Sequence, residues 1–163
     1  MTDIEEAKAW ALEALSYDPA TGQFTWKKGR RQGRHAGFAN GGGYVGIKVK
    51  ELTCLAHRLA WLLVHGDWPS AQIDHINGDP ADNRIANLRL ATPAQNGANA
   101  RRRSDNRSGF KGVGWHKKTR KWRANIVRDG RMRSLGYFDT PEQAAEAYAT
   151  AAKALRGEFA RTE

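Results

Sequence analysis

IDHINGDPADNRIANLRLATPAQNGAN, residues 73–99, is the stretch whose reading decides the fold. Its apolar residues are few and regularly placed: Ile73, Ile76, Ile85, Leu88 and Leu90. It is too polar to exist for its own core and too ordered in pattern to be a linker. Residues 72–75 read as a short strand and 85–90 as a second, with a loop from the Asn77-Gly78 turn through Asn83 between them. Thr92-Pro93 supplies an N-cap and first-turn proline for a helix running through Asn96 and Asn99 towards Arg101. The order is strand, loop, strand, helix.

Upstream, residues 2–15 read as a helix, with Thr2 and Glu5 as a capping box and Ile4, Ala7, Ala11 and Leu15 on one face. Residues 17–22 read as a turn and 24–26 as a strand. The basic run 27–34 is a loop, read equally as solvated or as a phosphate-contacting arm, with His35 solvated beside it. Strands are expected over 44–49 and 52–55, joined to a helix over 56–65 that buries Leu59, Leu62 and Leu63 and stops at Gly66. His65 suits the negative end of that helix. Arg58 reads equally as a backbone-phosphate contact or as half of an ion pair within the fold.

The 163 residues allow one medium domain or two small ones. Net charge is +10, which favours a polyanion partner, nucleic acid first. Residues 1–100 carry a net +1 and residues 101–163 a net +9, so two modules with different tasks are expected. No apolar run approaches a membrane span, and the acidic N-terminus lacks a secretory h-region, so a cytoplasmic protein of a bacterial or phage-infected cell is expected, with no membrane association. The single cysteine, Cys54, excludes an internal disulfide and a Cys-rich zinc site.

Residues 101–109 (RRRSDNRSG) are charged and lack apolar side chains, and read as a basic linker. Strands are expected over 110–116, 122–127 and 131–138, with Asp129-Gly130 as a hairpin turn. Trp122, Ala124 and Ile126 alternate with Arg123, Asn125 and Val127. Thr140 to Gln143 is a capping box with proline at the first helical position. The helix that follows presents Ala144, Tyr148, Ala151 and Leu155 on one face and ends at Gly157. Residues 101–133 hold 13 basic side chains against Asp105 and Asp129, a density that repels itself unless something anionic is met.

The central stretch has the residue types for phosphodiester hydrolysis. A histidine can deprotonate water, and one oxygen-ligated divalent ion can neutralise charge on phosphorus and on the departing oxygen. Mg²⁺ needs only one or two protein oxygens, and Asp74 with an Asn carbonyl on the helix would serve. Asp74 and His75 are adjacent on a strand and point to opposite faces, so one can bind metal while the other addresses the water. Asn87 is better suited to pinning the loop through backbone hydrogen bonds.

The run His57-Arg58, residues 74–78 (DHING), Asp82-Asn83-Arg84, residues 87–89 (NLR), Thr92 and Asn96 resembles the HNH endonucleases of the ββα-metal fold, in the branch where Asn replaces the final His. In this it resembles the phage and mobile-intron (homing) enzymes of that branch. The resemblance implies His75 as the general base, Asn87 as the structural Asn, and Asp74 and Asn96 as ligands of a divalent metal, Mg²⁺ first and Mn²⁺ as a substitute; Asn99 is a lesser ligand candidate. Gly112-Val113, residues 121–124 (KWRA), residues 135–140 (LGYFDT) and residues 142–152 are similar to the AP2/ERF DNA-binding domain, a three-stranded antiparallel sheet with one helix. That family lays its sheet in the major groove. On strand parity the resemblance makes Lys111, His116, Arg123, Asn125 and Ser134 base-reading candidates, with Arg131 and Arg133 set against phosphates instead; the linker arginines Arg101, Arg102 and Arg103, and Arg58 in its phosphate reading, are further DNA-binding candidates.

The expectation is therefore an α+β protein in three parts: an HNH domain over 1–100 (motif core 56–100), the linker 101–109, and an AP2/ERF-like domain over 110–160. The expected activity is that of an HNH endodeoxyribonuclease that nicks double-stranded DNA. The alternative is a non-catalytic DNA-binding regulator that retains a nuclease fold. No obligate protein partner is expected, and monomer and dimer both stay open.

Overall fold

The computed structural model describes residues 3–50, 52–102, 105–128 and 130–162, and the chain packs as two units, 1–92 and 93–163. Small antiparallel sheets and helices make each unit α+β, as the sequence leads one to expect. None of the helices is long and apolar enough to cross a membrane among the described residues.

The first unit opens with α1 (Asp3–Ala14). Ala7 and Ala11 on its buried face let it approach α2 (Ala56–His65) closely. The expected Thr2 cap lies outside the described residues. A hairpin follows, β1 (Leu15–Asp18) paired with β2 (Gln23–Trp26), so Tyr17 and Asp18 are strand residues and not part of the turn. Their turn-forming composition hid a strand held by the apolar alternation of Leu15 and Tyr17. The two-residue β3 (Phe38–Ala39), also unforeseen, pairs with β4 (Val45–Val49), which pairs with β5 (Leu52–Leu55). Leu15, Phe24, Ile47, Leu59 and Leu62 form the centre of the core.

Chain reversal at Gly66, in left-handed conformation with its N–H on Leu62 O, ends α2. Next come β6 (Gln72–His75) and β7 (Leu88–Ala91), paired antiparallel. The second strand is shorter than expected, because residues 85–87 form a 3₁₀ turn; Asn87 therefore precedes the strand. Gly22 shows why the N-terminal hairpin belongs to this unit. Its φ is +73°, and a Cβ there would sit 2.5 Å from Arg84 N and 2.6 Å from Asn83 C. Tyr17 Oη donates to Asn83 O at 2.7 Å, and Ile85 N donates to Pro19 O at 3.3 Å. The hairpin is thus a backbone-to-backbone brace for the polar loop 76–87.

The second unit contains α3 (Pro93–Asn99), β8 (Val113–His116), β9 (Lys121–Arg128), β10 (Arg131–Phe138) and α4 (Pro141–Arg156). The sheet order is β10-β9-β8, all antiparallel. Thr140 Oγ1 accepts from Gln143 N, and Gln143 Oε1 accepts from Thr140 N, which is the capping box read from sequence. The buried seam of α4 is Ala144, Tyr148 and Ala152; Leu155 is exposed. Gly112 has φ +74°, and a Cβ there would meet Tyr148 Cδ2 at 2.2 Å, so only glycine lets the tyrosine pack. The stretch read as a linker is tied down at its end: Ser108 Oγ donates to Phe110 O and Val113 O, and Asn106 Nδ2 donates to Phe110 O.

Candidate active site and nucleic-acid face

In the first unit a polar cluster is buried at the end of β6. Asp74 is 3% exposed and faces Arg89 across the strand pair. Arg89 Nε and Nη2 each lie 2.8 Å from Asp74 Oδ2, which fixes the carboxylate in a buried ion pair. His75 is opposite Leu88 in the register and so points to the other face. It is 6% exposed, and burial pushes its imidazole below the ordinary value against the pull of Asn83, Asp74, Asp79 and Asp82. A depressed value keeps the ring neutral at pH 7, the form that can accept a proton.

The loop that frames His75 is hydrogen-bonded throughout. Asn87 Oδ1 accepts from Asn77 N at 3.0 Å. Asn87 Nδ2 donates to Asn77 Oδ1 at 3.0 Å and to Asp82 O at 2.8 Å. Gly78 N donates to His75 O at 2.7 Å, so the turn closes directly on the histidine backbone. Arg84 holds the Asp82 carboxyl well below the usual range, at about 2, with Nε and Nη2 at 2.8 and 2.6 Å. Burial raises the Tyr17 hydroxyl to about 12, so it remains the donor that braces Asn83.

His57, quoted in the motif but given no role from the sequence, joins the site in the structure. It is 6% exposed at the start of α2, edge-on to His75 with ring centroids 5.0 Å apart. Tyr44 completes a ring trio, 5.4 Å from His57 and 6.1 Å from His75. Burial, His75 and Arg58 push His57 down to about 4, and its Nδ1 has no hydrogen-bond partner among the described residues. The signal was present: position 57 lies on the same side of the helix as Ala60 and next to Ala56, both fully buried. Arg58 is half-buried and makes no ion pair among the described residues.

In the second unit Asn96 is half-buried on α3, and Asn99, three residues on, is buried. The strand register sorts the expected DNA-contact residues. Gly114 opposes Arg123, Arg123 opposes Tyr137, and Asn125 opposes Ser134, so these share the face away from α4. His116 is on that face too, in ring contact with Tyr137 at 5.0 Å and bonded through Nδ1 to Thr119 Oγ1 at 2.8 Å. A bulge between Ser134 and Gly136 places both Ser134 and Tyr137 there. Arg133 opposes the buried Ile126, and Arg131 opposes Arg128, so both lie on the opposite side. Arg101 and Arg102 are exposed, while Arg103 lies outside the described residues. Lys111 needs correction: it precedes the sheet, and its Nζ donates to Ala98 O and Ala100 O, closing the C-terminal end of α3. Burial, with Arg156 and Arg161 nearby, lowers its ammonium to about 8. A helix C-terminus competes for this lysine in a way strand parity does not reveal.

Comparison with known proteins agrees with both halves of this geometry. Residues 54–98 match the HNH endonuclease family and residues 108–158 match the AP2 domain. Protein 3.8 of Escherichia phage T7 is 36% identical over 106 residues, which are 64% of this chain and 87% of that protein. An uncharacterized HNH endonuclease of Acanthamoeba polyphaga mimivirus is also 36% identical over 106 residues, 54% of its length. No solved structure matches the chain. The chain belongs to the HNH endonuclease family, and it carries an AP2 domain behind the nuclease domain.

Proposed function

We propose that the protein is a metal-dependent DNA endonuclease that nicks duplex DNA at sites chosen by its AP2 module. The observation that supports this most is His75: a buried, neutral imidazole, framed by a rigid loop, beside an acid that points the other way. In this reading His75 accepts a proton from the attacking water at an imidazole nitrogen. Asn87 and Asn77 keep the loop, and so the ring, in place. Asp74 and Asn96 are the residues that would hold the ion, and Arg89, bonded to Asp74 Oδ2, would orient the carboxylate.

The donor chemistry fits a hard cation. Both residues offer oxygen, and among the described residues no three His, Cys, Asp or Glu converge as ligands. Such a set suits Mg²⁺ or Mn²⁺ with water and substrate phosphate completing the coordination. When bound, the ion would stabilise charge on phosphorus and on the departing 3′ oxygen. In the second unit Arg123, Asn125, Ser134 and His116 face the base edges, and Arg101 and Arg102 meet phosphates, whereas Arg131 and Arg133, on the α4 side of the sheet, take no part in reading the groove.

The functional division proposed is 1–100 for cutting, 101–109 for joining and 110–160 for finding the site. One such centre cuts one strand, so a monomer nicks and a double-strand break takes two events. The proposed setting is the cytoplasm of a bacterial or phage-infected cell, with mobile-element activity as the biological role. Incubation of supercoiled plasmid with Mg²⁺ tests this. Nicks that a DNA ligase reseals, showing 5′-phosphate and 3′-hydroxyl ends, are the expected result; tight binding without metal-dependent nicking would leave a non-catalytic DNA-binding regulator.

A further inference from the structure

The face of the sheet away from α4 is polar along most of its length, and then changes character. Past Arg123 and Asn125 on β9 comes Val127, 50% exposed, and its cross-strand partner Met132 is 67% exposed. Neither serves the core, which lies on the other side under Ala144 and Tyr148. Both line a cleft of about 1020 Å³ within the second unit, between α3 and the end of β9. Arg101, Arg102, Arg128 and Arg156 stand around it, and among the described residues Asp105 is the only acid in the lining. An occupant that offers apolar groups to Val127 and Met132 and negative charge to these arginines fits this lining.

Duplex DNA does both. A thymine presents its C5-methyl in the major groove, flanked by phosphates. Alternate residues on a strand are about 6.8 Å apart, which matches two base-pair steps of about 3.4 Å. We infer that Val127 and Met132 read a thymine methyl about two base pairs from the base addressed by Asn125. The inference rests on the open face being the DNA-contacting surface. It makes the apolar pair a specificity determinant, where Arg123 and Asn125 supply hydrogen bonds.

The test uses the full chain in chelator, so that no cutting occurs. Bound duplexes are selected from a random library, and each thymine of the selected site is replaced singly by deoxyuridine, which lacks only the methyl. Burying one methyl predicts a loss of about threefold to fivefold in affinity at one position, and little change elsewhere. In the V127S/M132S variant that sensitivity disappears, and selection no longer favours thymine there. Circular dichroism and melting of the variant check its folding, while the uracil series on the wild type stands without any variant. Two results overturn the inference alone: Arg123→Ala weakens binding but no uracil does, or uracil sensitivity survives in V127S/M132S. Binding that ignores both Arg123→Ala and every uracil overturns the DNA-contacting face and the inference together.

Discussion

The two units handle polar groups in opposite ways. The first, nearly neutral in charge, buries His57, Asp74, His75, Asn83 and Asn87. The second carries almost all of the net charge and, among the described residues and apart from Asn99, buries only apolar residues and Tyr148. Burying polar groups is costly unless each is satisfied, so such a cluster marks a place where geometry matters more than stability. Spreading cations over an exposed sheet costs little and collects a polyanion. The contrast separates cutting from holding, and variants can break it at known points.

The largest effect on stability is expected at the buried ion pair. Arg89→Ala removes the guanidinium that pairs with buried Asp74 Oδ2 and should destabilise the first unit by about 3–5 kcal/mol. Calorimetry should show that unit melting earlier while the transition of the second stays in place; a uniform shift of both would refute independent packing.

Acid comes next. His57 has its folded pKa pushed down to about 4 from 6.5, so its contribution to stability is complete above about 6.5 and is lost as pH falls towards 4. The loss is on the order of 3 kcal/mol in the first unit, and His75 adds to it in the same direction. Denaturant titrations across that range should show a steep slope that His57→Gln flattens; an unchanged slope would remove His57 from the buried trio.

Asn87→Ala deletes the side chain that receives Asn77 N and bonds Asn77 Oδ1 and Asp82 O. A cost of about 1–3 kcal/mol is expected, with cleavage falling further than DNA affinity. Equal losses in both would mean that the loop serves binding and not the geometry of His75. The smallest effect belongs to the second unit. Thr140→Ala removes the cap of α4 for about 1 kcal/mol, visible as an earlier melt of that unit alone.

Much of this was legible in the residues. The helix 56–65 and the strand 72–75 stand where periodicity and glycine punctuation put them, and the Thr140 capping box is formed as written. Asp74 and His75 take opposite faces because strand parity requires it. What escaped was set by tertiary contact. Residues 85–87 look like the start of a strand, but Asn87 turns them so that its amide can bond the loop. Tyr17 reads as a turn residue until Asn83 O is seen to accept its hydroxyl. Lys111 fits the strand parity but is drawn to the carbonyls of α3. His57 reads as a polar helix opener, and only the packed core shows it against His75. The bulge at β10, which places Tyr137 beside Arg123, has no signature in a single strand.

The division of labour is tested most directly by measuring nicking and binding on the same preparation of His75→Ala. Nicking in Mg²⁺ should fall by at least about 100-fold, the usual contribution of a general base, while affinity for the same DNA stays within about twofold of wild type. A variant that still nicks at the wild-type rate, or one that loses binding and cleavage together while folded, would contradict it.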